Sequence, residues 1–184
     1  MNHHDMTRNM VLAALFAALT AIGAFLQIPT GTVPITLQFL FTALAGLLLG
    51  WKWGAVSQLL YVGIGLLGLP VFTQGGGIGY VLQPSFGFLL GLIPAAAVIG
   101  ALTARRTGYL TVLAAVLVGD LILYAVGVPY MYLILHVYMQ SAKTFPALLA
   151  AMLVYVPGDT LKIVVVTALA PVLRRTLVKA VPNL

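Results

Sequence analysis

The sequence predicts an all-α integral membrane protein with six transmembrane helices and both termini cytoplasmic, and three observations carry that prediction. First, 62% of the 184 residues are hydrophobic and only 7% charged, with a mean hydropathy of +1.12. A soluble globular domain carries about 25% charged residues, so lipid is the solvent of this chain. Second, the apolar blocks are hydrophobic all round. A β-barrel, the other structure able to satisfy its backbone in lipid, would alternate apolar and polar positions. Third, the cations gather at the ends of these blocks. Six spans of about 20 residues consume about 120 positions. No folded soluble domain fits in the remainder, so residues 1–184 read as a single transmembrane domain.

Gly, Pro and charge mark the spans in order. The first covers residues 8–28 and closes at Pro29-Thr30-Gly31. The second, 35–50, is short, and the third, 53–69, follows Lys52 and stops at Pro70. A Gly-rich, uncharged loop fills 71–85. The fourth span, 86–104, ends at Arg105-Arg106, and the fifth, 109–126, ends before Gly127-Val128-Pro129. Residues 130–145 read as an interfacial aromatic connector, and the sixth span, 147–173, ends at Arg174-Arg175.

This count places Arg8, Lys52, Arg105, Arg106, Arg174, Arg175 and Lys179 on one side and Lys143 alone on the other. Cytoplasmic loops carry the excess of Lys and Arg, so the side holding both termini is cytoplasmic, and a count of five would destroy the asymmetry. The net charge of +6 is therefore a topology signal and not a nucleic-acid surface. The apolar stretch 10–28 is too long for the h-region of a cleaved signal peptide. His3 and His4 read as a solvated tail before a metal pair. With no cysteine, disulfides, thiolate nucleophiles and Cys metal sites are excluded; no metal or other cofactor is expected.

The chemistry concentrates in the sixth span. Asp159 and Lys162 are its sole charges, and each ionised group at bilayer depth costs a few kcal/mol or more. At i, i+3 they share a helix face and neutralise each other. Such a pair either lines a binding site for a polar solute or glues helices together. Pro157 and Gly158 precede it; a break there would put both side chains at a helix start, where the dipole favours an anionic group. The loops 29–36 and 71–85 face outward, on the same side as Asp120 and the Asp159–Lys162 pair. Together they predict an exterior pocket with lids.

In the second loop Gly75, Gly76, Gly77 and Gly79 let backbone amides approach a ligand, while Phe72 and Tyr80 could pack a ring. In the first span Ala13, Ala17 and Ala21, flanked by Ala14 and Ala18, make a flat ridge suited either to internal packing or to a partner helix. The motif G-x-x-x-x-G-K-[ST] is absent, so nucleotide energy must come from another subunit. Enzyme readings fare poorly. No G-x-S-x-G occurs, and Lys162 beside Asp159 argues against an aspartyl dyad with Asp120.

Several motifs, in order, resemble one family. They are Val33-Pro34-Ile35-Thr36-Leu37-Gln38, Gly68-Leu69-Pro70-Val71-Phe72 with Gly75-Gly76-Gly77, and Pro84-Ser85-Phe86-Gly87-Phe88-Leu89. Gly119-Asp120 with Tyr124 and Gly127, and Pro157-Gly158-Asp159-Thr160-Leu161-Lys162, complete the set. Across nearly its whole length the chain resembles the BioY family, the biotin-specific substrate-binding (S) subunits of energy-coupling-factor (ECF) transporters. One departure stands out: the family commonly has Pro-Thr-Gly-Gly-Tyr where this chain has Pro84-Ser85-Phe86-Gly87-Phe88.

The resemblance implies an ECF S-component-like fold of six helices in the cell membrane. It implies biotin capture on the outside and association with a transmembrane coupling subunit and two ABC ATPases that hydrolyse the ATP. It makes Asp159 and Lys162 ligand-site positions and turns the Ala13, Ala17 and Ala21 ridge into the docking face. Asp159 suits the ureido N–H groups of biotin and Lys162 its carboxylate or ureido oxygen. Thr36, Gln38, Gln83 and Ser85 are further hydrogen-bonding candidates, with Gly77, Phe72 and Tyr80 supplied by the loop. An S subunit for thiamine or riboflavin is the alternative, and an intramembrane enzyme a more distant one.

Overall fold

A computed structural model describes residues 3–30, 33–106 and 108–180, without the side chains of residues 3, 4, 175 and 177–180. The chain runs α1 (His3–Phe25), a two-strand ribbon of β1 (Gln27–Ile28) and β2 (Ile35–Thr36), α2 (Gln38–Leu66), α3 (Phe86–Thr103) and α4 (Tyr109–Leu133). A π-helical turn (Ile134–Tyr138), α5 (Phe145–Met152), a tight turn (Leu153–Tyr155) and α6 (Val156–Ala180) complete it. Among the described residues five stretches are long and apolar enough to cross a membrane: Asp5–Phe25, Gln38–Leu66, Phe86–Thr103, Tyr109–Tyr138 and Phe145–Arg174.

The second of these reverses within itself. Gly50 sits at φ 76°, ψ 179°, outside helical geometry. In a straight helix Gly46 and Gly54 would stand about 12 Å apart. Instead, a methyl group on Gly54 would lie 2.8 Å from the Gly46 Cα. Gln38 Nε2 donates to the Tyr61 hydroxyl at 2.7 Å and Thr42 Oγ1 to Gln58 Oε1 at 2.9 Å. The two halves of α2 are therefore antiparallel neighbours about Gly50, where the sequence placed the end of a short span.

Small residues set the helix spacing, as expected where lipid offers no hydrophobic drive between helices. A Cβ on Gly46 would lie 2.5 Å from the Ala96 carbonyl oxygen, and one on Gly100 would lie 2.4 Å from the Trp51 nitrogen. The atoms in the way are backbone and cannot swing aside. Gly100→Ala should therefore lower stability by about 1–3 kcal/mol, read as a drop of several degrees in the melting temperature in detergent; an unchanged melt would refute the contact.

Three boundaries differ from the sequence reading. Residues 27–28 leave the first helix to pair with Ile35–Thr36, which keeps the first outer loop short and anchored. The α1 helix already begins at His3, where a tail was expected. The α4 helix runs through Pro129 because Val128 and Met131 are buried in an apolar cluster with Leu148, Met152 and Tyr155. Membrane helices tolerate such a proline when neighbours satisfy the freed backbone.

Candidate functional site

The start of α6 builds the site. The narrow turn Leu153–Tyr155 separates α5 from α6 and leaves Asp159 in the first turn of the new helix. That tightened turn falls just before Pro157 within the stretch Phe145–Arg174, which stays helical through it and is not broken. Asp159 is 6% exposed and Lys162 7%. Their charged atoms meet at 2.5 Å, so neither ion faces hydrocarbon unpaired. The Tyr124 hydroxyl of α4 donates to the second oxygen of Asp159, and Lys162 donates across to the Thr36 carbonyl at 3.3 Å.

The loop after β1 is held over this pair. Tyr155 donates to the Val33 carbonyl, Thr30 bonds that same carbonyl, and the Thr30 and Tyr155 hydroxyls lie 2.9 Å apart. Thr36 Oγ1 donates to Gln38 Oε1 at 2.8 Å. The Gln38 amide holds Tyr61, which donates to the Val71 carbonyl of the second outer loop at 3.1 Å. Both loops are thus tied to helices by side-chain hydroxyls and amides.

Beneath them lies a cavity of about 620 Å³, counting its open mouth. Its lining combines the polar groups of Asp159, Lys162, Tyr124, Thr36 and Gln38 with the apolar side chains of Phe39, Phe88, Leu89, Leu92 and Leu123. Such a lining suits a small solute with an apolar body and a compact polar head.

The structure brings Asp159, Lys162, Thr36, Gln38, Tyr80 and Ser85 to this cavity. Tyr80 spans Thr73 at 2.9 Å and Ser85 at 3.4 Å. Three expected residues do not reach the lining. Phe72 is 1% exposed; it stands behind Tyr80, with ring centres 4.6 Å apart, in the space a side chain on Gly65 would fill. Gly77 adopts φ 99° and turns its N–H to the Gly65 carbonyl at 2.7 Å, closing the second loop. Gln83 ends the turn Ile78–Leu82, its N–H on the Tyr80 carbonyl. Phe86, bulkier than the usual family glycine, is absorbed by edge-on packing against Tyr80 and Tyr130, whereas Phe88 lines the cavity.

Tyr124 and Tyr155 were missed as site residues. The available signal was a hydroxyl inside an apolar span, which needs a partner when buried.

The alanine ridge requires a correction. Ala13 and Ala17 are 2% and 4% exposed, packed inside the bundle, and Ala21 is half-buried, so a partner cannot reach that ridge. The exposed small residues of α1 are Ala14 and Ala18, on the face that carries Val11, Leu15 and Ile22.

Comparison with known proteins agrees with this architecture. A solved structure described as the S-component for biotin from an ECF-type ABC transporter superposes with a TM-score of 0.83 at 29% identity, covering 95% of each chain. The probable biotin transporter BioY of Lysinibacillus sphaericus is 54% identical over 141 residues, 76% of this chain and 72% of that one. The biotin transporter BioY of Thermotoga maritima is 35% identical over 164 residues, 89% and 94% of the two chains. The model of the BioY family matches residues 1–179, and the chain belongs to that family.

Proposed function

We propose that this chain is the biotin-binding S subunit of an ECF-type transporter, a multi-pass protein of the plasma membrane that captures biotin outside the cell. The observation that carries this reading is a neutralised Asp159–Lys162 pair facing a half-polar cavity under tethered loops. Chemistry and transport divide cleanly: the chain binds, and partner ATPases hydrolyse ATP beneath a transmembrane coupling subunit.

Hydrogen-bond capacity supports biotin. An ionised carboxylate offers about four lone-pair positions; Tyr124 and Lys162 each engage one Asp159 oxygen, leaving acceptor capacity for a ureido N–H group. Lys162 has three N–H donors, of which Asp159 and Thr36 take two. The third reaches the ureido oxygen, since the two charged atoms stand only 2.5 Å apart and one ureido group spans both. The bicycle then lies against the apolar side chains of the lining.

The reversal of α2 at Gly50 supports six crossings with both termini cytoplasmic. So does the contact of Arg174 with the Thr103 carbonyl at 3.4 Å, which draws the cation-rich ends of α3 and α6 to one side.

Calorimetric titration of the detergent-purified protein tests the assignment. Biotin should bind tightly, with thiamine and riboflavin unable to displace it; absence of a biotin signal would sink the reading. Lys162→Met should weaken biotin and biotin amide alike, by about 100-fold. A loss seen with biotin but not with the amide would place the ligand carboxylate at Lys162 instead.

A further inference from the structure

Three acids occur in the chain, and two have cations: Asp5 lies 3.3 Å from Arg8 and Asp159 lies 2.5 Å from Lys162. The third, Asp120, lies within the long apolar stretch Tyr109–Tyr138. Its Oδ1 is buried and, among the described residues, has no hydrogen-bond partner. A carboxylate at such a depth costs several kcal/mol and marks function by default. Neither the ligand contacts nor the loop tethers described above use it.

Helix register shows what it faces. Tyr124, late in α4, meets Asp159 at the start of α6. Arg174, late in α6, meets Thr103, the last residue before the short link into α4. The two helices therefore run antiparallel. One turn back from Tyr124 on the same face is Asp120, and one turn on from Asp159 is Lys162. Asp120 lies within electrostatic range of both members of the ion pair. The ammonium stands on a flexible four-carbon stem, paired with Asp159, and Asp120 is on the facing helix.

We propose that Asp120 is the second counter-ion of Lys162, a positioning residue that steadies the ammonium from the α4 side while Asp159 also accepts from the ligand. The ammonium then keeps the place from which its remaining N–H meets the ligand. The ligand-driven half of this inference rests on the biotin reading; the charge arrangement does not.

A ligand-free melting series in detergent tests the arrangement. Asp120→Asn alone should shift the midpoint by about 2 °C, because Asp159 still holds Lys162. Asp120→Asn with Asp159→Asn should lose about 10 °C, or fail to fold, since the ammonium is then buried without a partner. Adding Lys162→Met to that pair should restore the melt, which a packing defect at Asp120 would not allow. Additive losses, or a triple variant as unstable as the double, would overturn the proposal. For the ligand-driven half, Asp120→Asn should lower biotin affinity about tenfold while Asp120→Glu stays within about threefold of it. Wild-type affinity in Asp120→Asn would refute that half. Failure of the unaltered protein to bind biotin would instead refute the substrate assignment, leaving the melting series to decide the charge arrangement.

Discussion

Asp159→Asn should reduce biotin affinity by at least about 100-fold, the largest binding loss expected of any single substitution in the cavity. Two effects add. The amide keeps one acceptor oxygen but places a donor where a ureido N–H must be met, so a hydrogen bond becomes a clash of donors. The change also removes the near counter-ion that holds Lys162, 7% exposed, beside the ligand; a lost charge-assisted hydrogen bond together with an unsatisfied donor costs about 3–5 kcal/mol of binding. That range corresponds to roughly 10²–10⁴ in a dissociation constant. Titration of the purified variant at a protein concentration suited to micromolar binding would show the loss. Affinity near that of the unaltered protein would refute the role assigned to Asp159, whatever the fate of the fold.

This prediction was available from the sequence because charge in hydrocarbon is conspicuous. Asp159 and Lys162 are the sole charges of a long apolar block, and their cost forces a partner or a ligand on them. Thr36, Gln38, Tyr80 and Ser85 were legible for a related reason: polar residues flanking outward loops have few other uses in so apolar a chain. Tyr124 and Tyr155 carry no charge, and nothing in a single chain states which α4 residue stands opposite Asp159. Inter-helix register is a tertiary property. Phe72 shows the converse limit, for an aromatic beside a Gly-rich loop serves a pocket or its scaffold equally well, and the close approach of Gly65 decided for scaffold.

Element boundaries followed the same division. The reversal at Gly50 was marked by Gly, Trp and Lys together. Pro129, by contrast, suggests a stop in water, where a lost backbone bond is exposed and local helix strength matters. In a packed membrane bundle the burial of Val128 and Met131 outweighs it, and the helix continues.

The alanines of α1 make the point with an experiment attached. The ridge of residues 13, 17 and 21 and the ridge of residues 14 and 18 have the same spacing and the same composition, so periodicity alone does not choose between them. The bundle chooses: the first packs inward and the second faces out. A flat exposed pair of alanines lets another helix approach closely, and large side chains there would hold it off. Ala14→Trp with Ala18→Trp should therefore leave biotin affinity within about twofold, since neither residue touches the cavity, yet abolish co-purification with the coupling subunit and its ATPases. Ala17→Trp should behave in the opposite way. An indole forced into a site 4% exposed overpacks the interior, typically by about 1–3 kcal/mol and here more, so the protein should lose yield and melting temperature before assembly can be scored. A complex that survives both tryptophans on the outer ridge would remove α1 from the docking surface and require the coupling subunit to sit on another helix.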